Sequence, residues 1–558
     1  MGGVSQHRRG LKRMQGALVV LLLVLSGCPN VALKDYIKRR ATFEPFVYVS
    51  VEAGSDENPG TKELPLASIQ AGIDSGVAII EEGLAATIEV RVARGTYEVN
   101  YRQGQFITMK EGVSLCGGYA LDFSSREPAA STTIIVDRST TGGTQTDANI
   151  VVKAENGITK ATVLDGFTIQ AGGGGNTAAL VILASSPTIQ NNILLAGTGS
   201  SQSYAIAIGD HSSPHILRNT ITGGTASAWT GALVVGDFSE PVVEYNTISG
   251  GNGSSSARGI FNYLDAETII EHNTITGGTG GSTCAIQNET GSRPTIRANT
   301  IYGGDATVSS DGILSTQSSC MIYENSIHGG NSAGSSHGIS VRNSGNSAIS
   351  TIIGNNIIFG GHGATTAVGV LEDQAVGNCP VIMCTIDGGI GPNAASIRVT
   401  GGSTPSIAND ILFVSETTAA LCLDETGNGK SIGVIRNNDL WDTSGNTDLY
   451  RTFEDTLHDT YSAINLLSGC SGNVSVDPAL IDLDGPDGDI TTMPDNDWRL
   501  TASSPVDVRQ GGLDISLQSG GGWTTDKNGV ARTNLTQGPN DNPSNGGEGW
   551  SMGPYEKD

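Results

Sequence analysis

Two glutamates, Glu244 and Glu271, stand 27 residues apart in matching contexts, Pro241-Val-Val-Glu-Tyr-Asn246 and Thr268-Ile-Ile-Glu-His-Asn273, and Arg297 follows in a third copy. If the copies stack, the two carboxyls are neighbours, and paired carboxyls can divide acid and base roles in glycoside hydrolysis. The same residues also suit a solvated face with a local ion pair. Further along each copy, Tyr302, His328 and Phe359 recur at one position and are expected to point outward. Such a ridge of rings can stack on sugar rings, or serve only to stiffen the stack. Asp482, Asp484, Asp487 and Asp489 fall within eight residues, with Gly485 and Gly488 allowing a tight turn. They supply the hard oxygens that calcium takes, although the spacing is not that of an EF-hand, so the role implied is a structural ion or an acidic turn. No other cofactor is implied.

What must position these residues is an internal repeat. Equivalent positions fall at Phe167, Asn192, Asn219, Asn246, Asn273, Asn299, Asn325, Asn356, Cys384, Asp410 and Asn438, ten steps over 271 residues, or about 27 per step. Three residues earlier every copy is aliphatic, from Leu164 and Ile189 to Ile407 and Ile435, and two residues later the same holds from Ile169 to Leu440. Side chains alternate faces along a straight strand, so two buried sites an odd number of residues apart require a bend between them. Asparagine suits that bend: it tolerates left-handed backbone, and its amide can bond backbone groups or the amide of the next copy. Asn192, Asn219, Asn246, Asn273, Asn299, Asn325, Asn356 and Asn438 are therefore expected to form a ladder. Gly-Gly follows at 223–224, 250–251, 277–278, 303–304, 329–330 and 360–361, and another short alternating run precedes each bend. Three short strands and three turns per copy predict a parallel coil, about 50 Å long over ten steps at a strand spacing of ~4.8 Å.

The composition fits this architecture. Glycine is 77 of 558 residues and aromatics only 5%, which disfavours helical bundles. With charged residues at 16% and regular aliphatic spacing, the chain is not of the disordered class. The net charge of −25 excludes nucleic acid as a natural partner. From 167 to 440 there are 8 Lys and Arg against 19 Asp and Glu, a balance that opposes polyanionic sugars. The N-terminus has a basic stretch (Arg8, Arg9, Lys12, Arg13), an apolar run from Ala17 to Leu25, and then Ser26-Gly27-Cys28, the layout of a secretory signal too short to span a bilayer. Of the other seven cysteines, most read as small buried hydrophobes, and Cys379 with Cys384 is the one close pair that a disulfide could join. The segment Pro65–Ile80 is amphipathic and suits a helix capping the N-terminal end of the coil.

Leu25-Ser-Gly-Cys28 resembles the bacterial lipobox, which implies that Cys28 is the lipidated first residue of the mature protein. Tyr48-Val-Ser50, Gly54-Ser-Asp-Glu-Asn-Pro-Gly-Thr61, Val92-Ala-Arg-Gly-Thr-Tyr97 and Gly117-Gly-Tyr119 resemble the domain that opens many bacterial pectin-lyase-like proteins. Asp477-Pro478, Trp498-Arg-Leu500, Ser503-Ser-Pro-Val-Asp507 and Gly553-Pro-Tyr-Glu556 resemble the segment that closes them. The resemblance implies a right-handed single-stranded parallel β-helix with an irregular C-terminal cap. The organisation expected is a signal over 1–27, a tether over 28–45, the cap and first coils over 46–160, regular repeats over 161–445 and the last coils and cap over 446–558. Relatives of this fold include pectate lyases and polygalacturonases, but their motif sets are incomplete: Arg293-Pro-Thr-Ile-Arg297 lacks a residue of the lyase pattern. Gly361-His362-Gly363 precedes Asn446-Thr-Asp448, the reverse of the polygalacturonase order, so His362 reads as coincidence. The expectation is a lipid-anchored protein of the bacterial envelope, in the outer membrane or at the cell surface, whose rod binds, adheres or scaffolds. Its expected partners are a surface polysaccharide or another envelope protein. The alternative is a polysaccharide lyase or glycoside hydrolase.

Overall fold

The computed structural model describes residues 44–139, 148–342, 350–374, 379–414, 421–442, 448–482, 497–500, 503–505 and 507–508. The chain winds as a parallel β-helix. Each coil contributes one strand to each of three sheets. The first sheet has 15 strands, from Phe46–Val49 to Cys470–Ser471, and the second has 13, from Gly95–Val99 to Asp439–Asp442. The third runs from Ile107–Thr108 to Tyr450–Arg451, where an antiparallel strand, Leu457–His458, ends the ladder. The expected register holds: Ile216, Val243, Ile270, Ile296 and Ile322 pair strand by strand in the first sheet, and Ile169, Leu194, Ile221 and Ile248 do so in the second. These side chains fill the bore and are almost wholly buried.

The asparagine column is a ladder, with one change from expectation. The left-handed residue at the bend is the one before the asparagine: Arg218, Tyr245, His272 and Ala298 all have φ of 52 to 54°. The asparagine itself supplies the bonds that close the bend. Asn273 Nδ2 donates to the carbonyls of Val243 and Glu271, both at 2.8 Å, and its Oδ1 accepts from the Asn246 backbone N–H at 2.8 Å. Every rung from Asn192 to Asn325 repeats this pattern. Cys384 and Asp410 continue the column, and beyond Asn438 it ends on Asn473, whose Oδ1 accepts from Asn438 at 3.1 Å.

Helix α1, Ile69–Glu81, closes the N-terminal end. Ser68 caps it by accepting the Ala71 N–H at 3.2 Å. Its buried face is Ile69, Gly72, Ile73 and Gly76, and a Cβ at Gly72 would lie 2.6 Å from Val49, so only glycine lets the helix settle on the first strands. At the other end, Trp498, Leu500 and Val508 pack outside the second sheet on Phe359 and Phe413. All seven cysteines among the described residues are free thiols, Cys379 and Cys384 included.

Candidate functional site

The outer face of the first sheet carries the sequence-predicted acid pair. Glu244 and Glu271 are direct cross-strand neighbours, followed by Arg297. Each acid has its own side-chain partner: Glu271 Oε2 lies 2.7 Å from Arg297, and Glu244 Oε2 lies 3.3 Å from His215. The guanidinium of Arg297 also lies over Tyr323, 6.0 Å from the ring centre. The structure thus gathers these groups into an ion-paired strip on a strand face.

Tyr302, His328 and Phe359 do stack on successive strands, with 4.8 Å between ring centres at both steps. All three face outward from the bore, but they differ in exposure. Phe359 is fully buried because Trp498, Leu500 and Val508 of the C-terminal segment cover it. His328 is 4% exposed, wedged between its neighbours, and its Nδ1 accepts the Gly330 N–H at 2.7 Å. Only Tyr302 keeps an accessible edge, and burial together with nearby Asp305 pushes its hydroxyl up to about 12.

Beside this stack, the Gly-Gly corner between the second and third sheets forms a trough along the rod. From Gly251 to Gly361 the second glycine of each pair is left-handed, as at Gly278 (φ 84°), where a Cβ would lie 2.3 Å from the Gly251 carbonyl of the coil below. With no side chains at the corner, a cavity of about 570 Å³ opens over Gly223, Gly224 and Gly251, and a second of about 560 Å³ lies farther along the rod against Asp305, Asn331 and His362. Their rims belong to one register column, in which Thr198, Thr225, Asn252, Thr279, Asp305, Asn331 and His362 follow strand by strand. All but His362 are exposed. Asn331 Nδ2 donates to the Tyr302 hydroxyl at 2.7 Å and to Asp305 Oδ1 at 2.9 Å, fixing the ring at the trough edge. Adjacent rungs lie ~4.8 Å apart, so the trough presents a periodic row of hydroxyl, amide and carboxylate groups beside one aromatic face.

A second group, which sequence reasoning missed, lies on the outer face of the third sheet. Tyr204, Gly231, Arg258, Cys284, Asp311 and His337 are successive members of one column. His337 Nδ1 lies 2.7 Å from Asp311 Oδ1, and both side chains are buried. Burial, and then the nearby Asp311, hold the Cys284 thiol well above its ordinary value, which disfavours the thiolate. Tyr204, Trp229, Phe261 and Tyr263 form a ring cluster at the start of this column. The signal was present in the repeat alignment, but these rings sit at four different offsets within it and mark no single column.

No group of three His, Cys, Asp or Glu among the described residues is arranged to hold a metal ion. Of the calcium candidates, Asp484, Asp487 and Asp489 lie outside the described residues, and Asp482 ends a short strand, Leu480–Asp482, paired to Asp497–Leu500. Cys28 also lies outside them.

No family model matches the chain, and no curated protein matches it. Among solved structures the chain is similar to the Dettilon tailspike protein gp208, with a TM-score of 0.42, 13% identity and 69% of each chain covered. It is also similar to XylC in its complex with xylose, at 0.39, 11% identity and 79% of this chain against 88% of that one. Pectate lyase Pel9A matches at 0.34, 11% identity and 92% against 96% coverage.

Proposed function

We propose that this protein is a lipid-anchored component of the bacterial envelope whose β-helix rod binds a surface polysaccharide lengthwise along the Gly-Gly trough. The observation that carries the reading is the in-register row from Thr198 to His362, bordered by the accessible edge of Tyr302. A polymer with repeating hydroxyls meets a repeating set of donors and acceptors there, and each additional rung adds contacts without additional loss of overall freedom. Acid–base chemistry gets no comparable support on the first sheet, because Glu244 and Glu271 are each engaged by a neighbouring side chain, His215 and Arg297 respectively. No helix among the described residues is long and apolar enough to cross a membrane.

Affinity electrophoresis against a panel of neutral polysaccharides tests the trough. One polymer is expected to retard the protein, with Tyr302→Ala and Asn331→Ala each weakening retention about tenfold, or ~1.4 kcal/mol. Retention unchanged in both variants would remove the trough from the interaction, and release of reducing or unsaturated ends would favour the lyase or hydrolase reading. The anchor has its own check: cells producing the wild-type chain are expected to incorporate labelled palmitate into it, and Cys28→Ser to abolish the label. A label that persists refutes Cys28 as the attachment point.

A further inference from the structure

The outer face of the first sheet stays uncovered through the middle of the rod. At its N-terminal end Phe123 packs on Tyr48 and Tyr119, and on the second sheet Trp498 and Leu500 cover Phe359 and Phe413. From Thr188 to Tyr323, by contrast, every outward residue of the first sheet is half-buried or exposed. Apolar groups gather there. Ile269, Met321 and Tyr245 are 39, 43 and 51% exposed, and Phe238 and Leu264, at the corner that leads into the same strands, are exposed as well. These five, of thirteen large apolar residues so exposed among the described residues, fall within four consecutive coils on one side, whereas exposed apolar residues of an ordinary surface are scattered singly. Charge is close to balance on this face, with Arg218 and Arg297 against Glu244, Glu271 and Glu324, although the chain as a whole carries −25.

The order of these residues along the rod is self-complementary. Consider a two-fold axis that lies in the face, parallel to the strands and midway between Ile269–Glu271 and Thr295–Arg297. It sets the strand of Ile269 on the strand of Thr295 in a second copy, that of Val242 on that of Met321, and that of His215 on that of Ile352. Row for row, Glu271 then meets Arg297, Val242 meets Met321, Glu244 meets Tyr323, and the Leu217 side chain meets Gly354, which has none. Within one chain Glu271 holds Arg297 through Oε2 alone, at 2.7 Å, so Oε1 is left for the Arg297 of the second copy. Two such pairs set head to tail close a ring of four alternating charges. Moving the axis by one strand toward the N-terminus sets Glu244 against Glu271 instead, so charge fixes the register.

We propose that the outer face of the first sheet is the interface of a two-fold dimer of this chain, in which two rods lie face to face and antiparallel. Both copies use the same patch, as a closed two-fold interface requires, and the flat sheets pack with their outward rows in contact. From the strand of Thr188 to that of Val381, at ~4.8 Å per strand and ~20 Å across, the face covers on the order of 700 Å² per copy, close to the ~800 Å² per partner of a standard specific interface. The net charge of −25 on each copy opposes association at long range, but it is screened beyond about 8–10 Å in physiological salt. The interface is on a different side of the rod from the trough and does not depend on it.

Sedimentation equilibrium of the full chain carrying Cys28→Ser, which keeps lipid out of the measurement, provides the test. A monomer–dimer equilibrium in the micromolar range is expected at physiological salt. Arg297→Glu sets acid against acid and is expected to weaken the dimer at least tenfold, and adding Glu271→Arg restores the alternation and is expected to recover most of the loss. Cross-linking reads the register without touching either charge. Val242 and Met321 are three strands apart within one chain but face each other across the axis. Val242→Cys/Met321→Cys treated with a short bis-maleimide is therefore expected to run as a covalent dimer, and Val242→Cys alone to stay a single chain. Tyr302→Ala and Asn331→Ala are expected to leave the dimer unchanged, so failure of the trough and failure of this interface are told apart. A monomer throughout the micromolar range, a dimer indifferent to Arg297→Glu, or a double-cysteine chain that cross-links no better than the single one would overturn the proposal. A monomer that loses polysaccharide retention in Met321→Asp would overturn it too, and give the face to the sugar.

Discussion

Replacing Asn273 by alanine is expected to destabilise the middle of the rod by about 4 kcal/mol, the cost of leaving several buried backbone groups short of partners at ~1–3 kcal/mol each. The substitution deletes donors to Val243 O and Glu271 O and strips the Asn246 N–H of its acceptor, all in a site where Asn273 is 2% exposed. Water has no route to replace them. In a solenoid each coil touches only its neighbours, so the damage should be local. Urea unfolding gives the magnitude, and hydrogen exchange the location, with the Asn246 amide expected to exchange far faster and the amides of α1 to keep their protection. A loss below 1 kcal/mol would mean that the aliphatic columns, and not the ladder, hold the bend closed. His272→Ala, one residue away at the left-handed position, should be nearly neutral by comparison, because that position accepts residues as different as Arg218, Tyr245, His272 and Ala298.

This contrast marks what the sequence could disclose. The aliphatic columns and the ladder recur at one spacing, so the coil, its register and its bends are legible from residues such as Ile270 and Asn273 alone. The left-handed residue marks no column because it varies from exposed Arg218, Tyr245 and His272 to buried Asn355, Met383 and Asn409. Asn473, the last rung, lies 35 residues beyond Asn438 because the short helix Tyr461–Ile464 interrupts the final coil. No periodicity points to it. The burial of Phe359 depends on Trp498 and Leu500, more than a hundred residues away and outside the repeat. Trough residues such as Thr225 and Asn252 read in sequence as an ordinary Ser, Thr and Gly loop, and gain meaning only from sharing one column.

Stability is expected to fall as pH rises from about 4 to 8, against the usual trend for an acidic protein. Three carboxyls cause this. Asp439 is fully buried, Oδ1 accepting the Val476 N–H at 3.0 Å and Oδ2 having no partner, and burial reinforced by Asp477 and Asp507 pushes it up to about 8. Asp410 replaces an asparagine in the ladder: its Oδ1 accepts the Cys384 N–H at 2.7 Å, while Oδ2 lacks a partner where the other rungs carry an amide nitrogen. Glu372 faces the bore between Val341 and Val399 with both oxygens unpartnered. Burial raises both well above the ordinary carboxyl range, so as pH rises the unfolded chain, releasing its protons near ~4, gives them up before the native state does. The unfolded state then binds fewer protons, and stability must drop with pH. The contribution of Asp439 is complete below about pH 4 and lost as pH rises through 8, at most ~6 kcal/mol across that window at 1.36 kcal/mol per unit. Against this, hydrogen bonds from Thr426 and an ion pair with Arg398 hold Asp424 below its ordinary value despite burial, a contribution lost only at still lower pH. Asp410→Asn restores a donor to the ladder and removes a titrating group. It is expected to stabilise the chain at pH 7.5 and to flatten the profile, as should Glu372→Val by extending the aliphatic column. Urea unfolding of the three proteins at pH 5 and 8 measures both effects. A wild-type profile that rises with pH over this range, or an Asp410→Asn variant less stable than wild type at pH 7.5, would show that these carboxyls are ionised and compensated in the folded state.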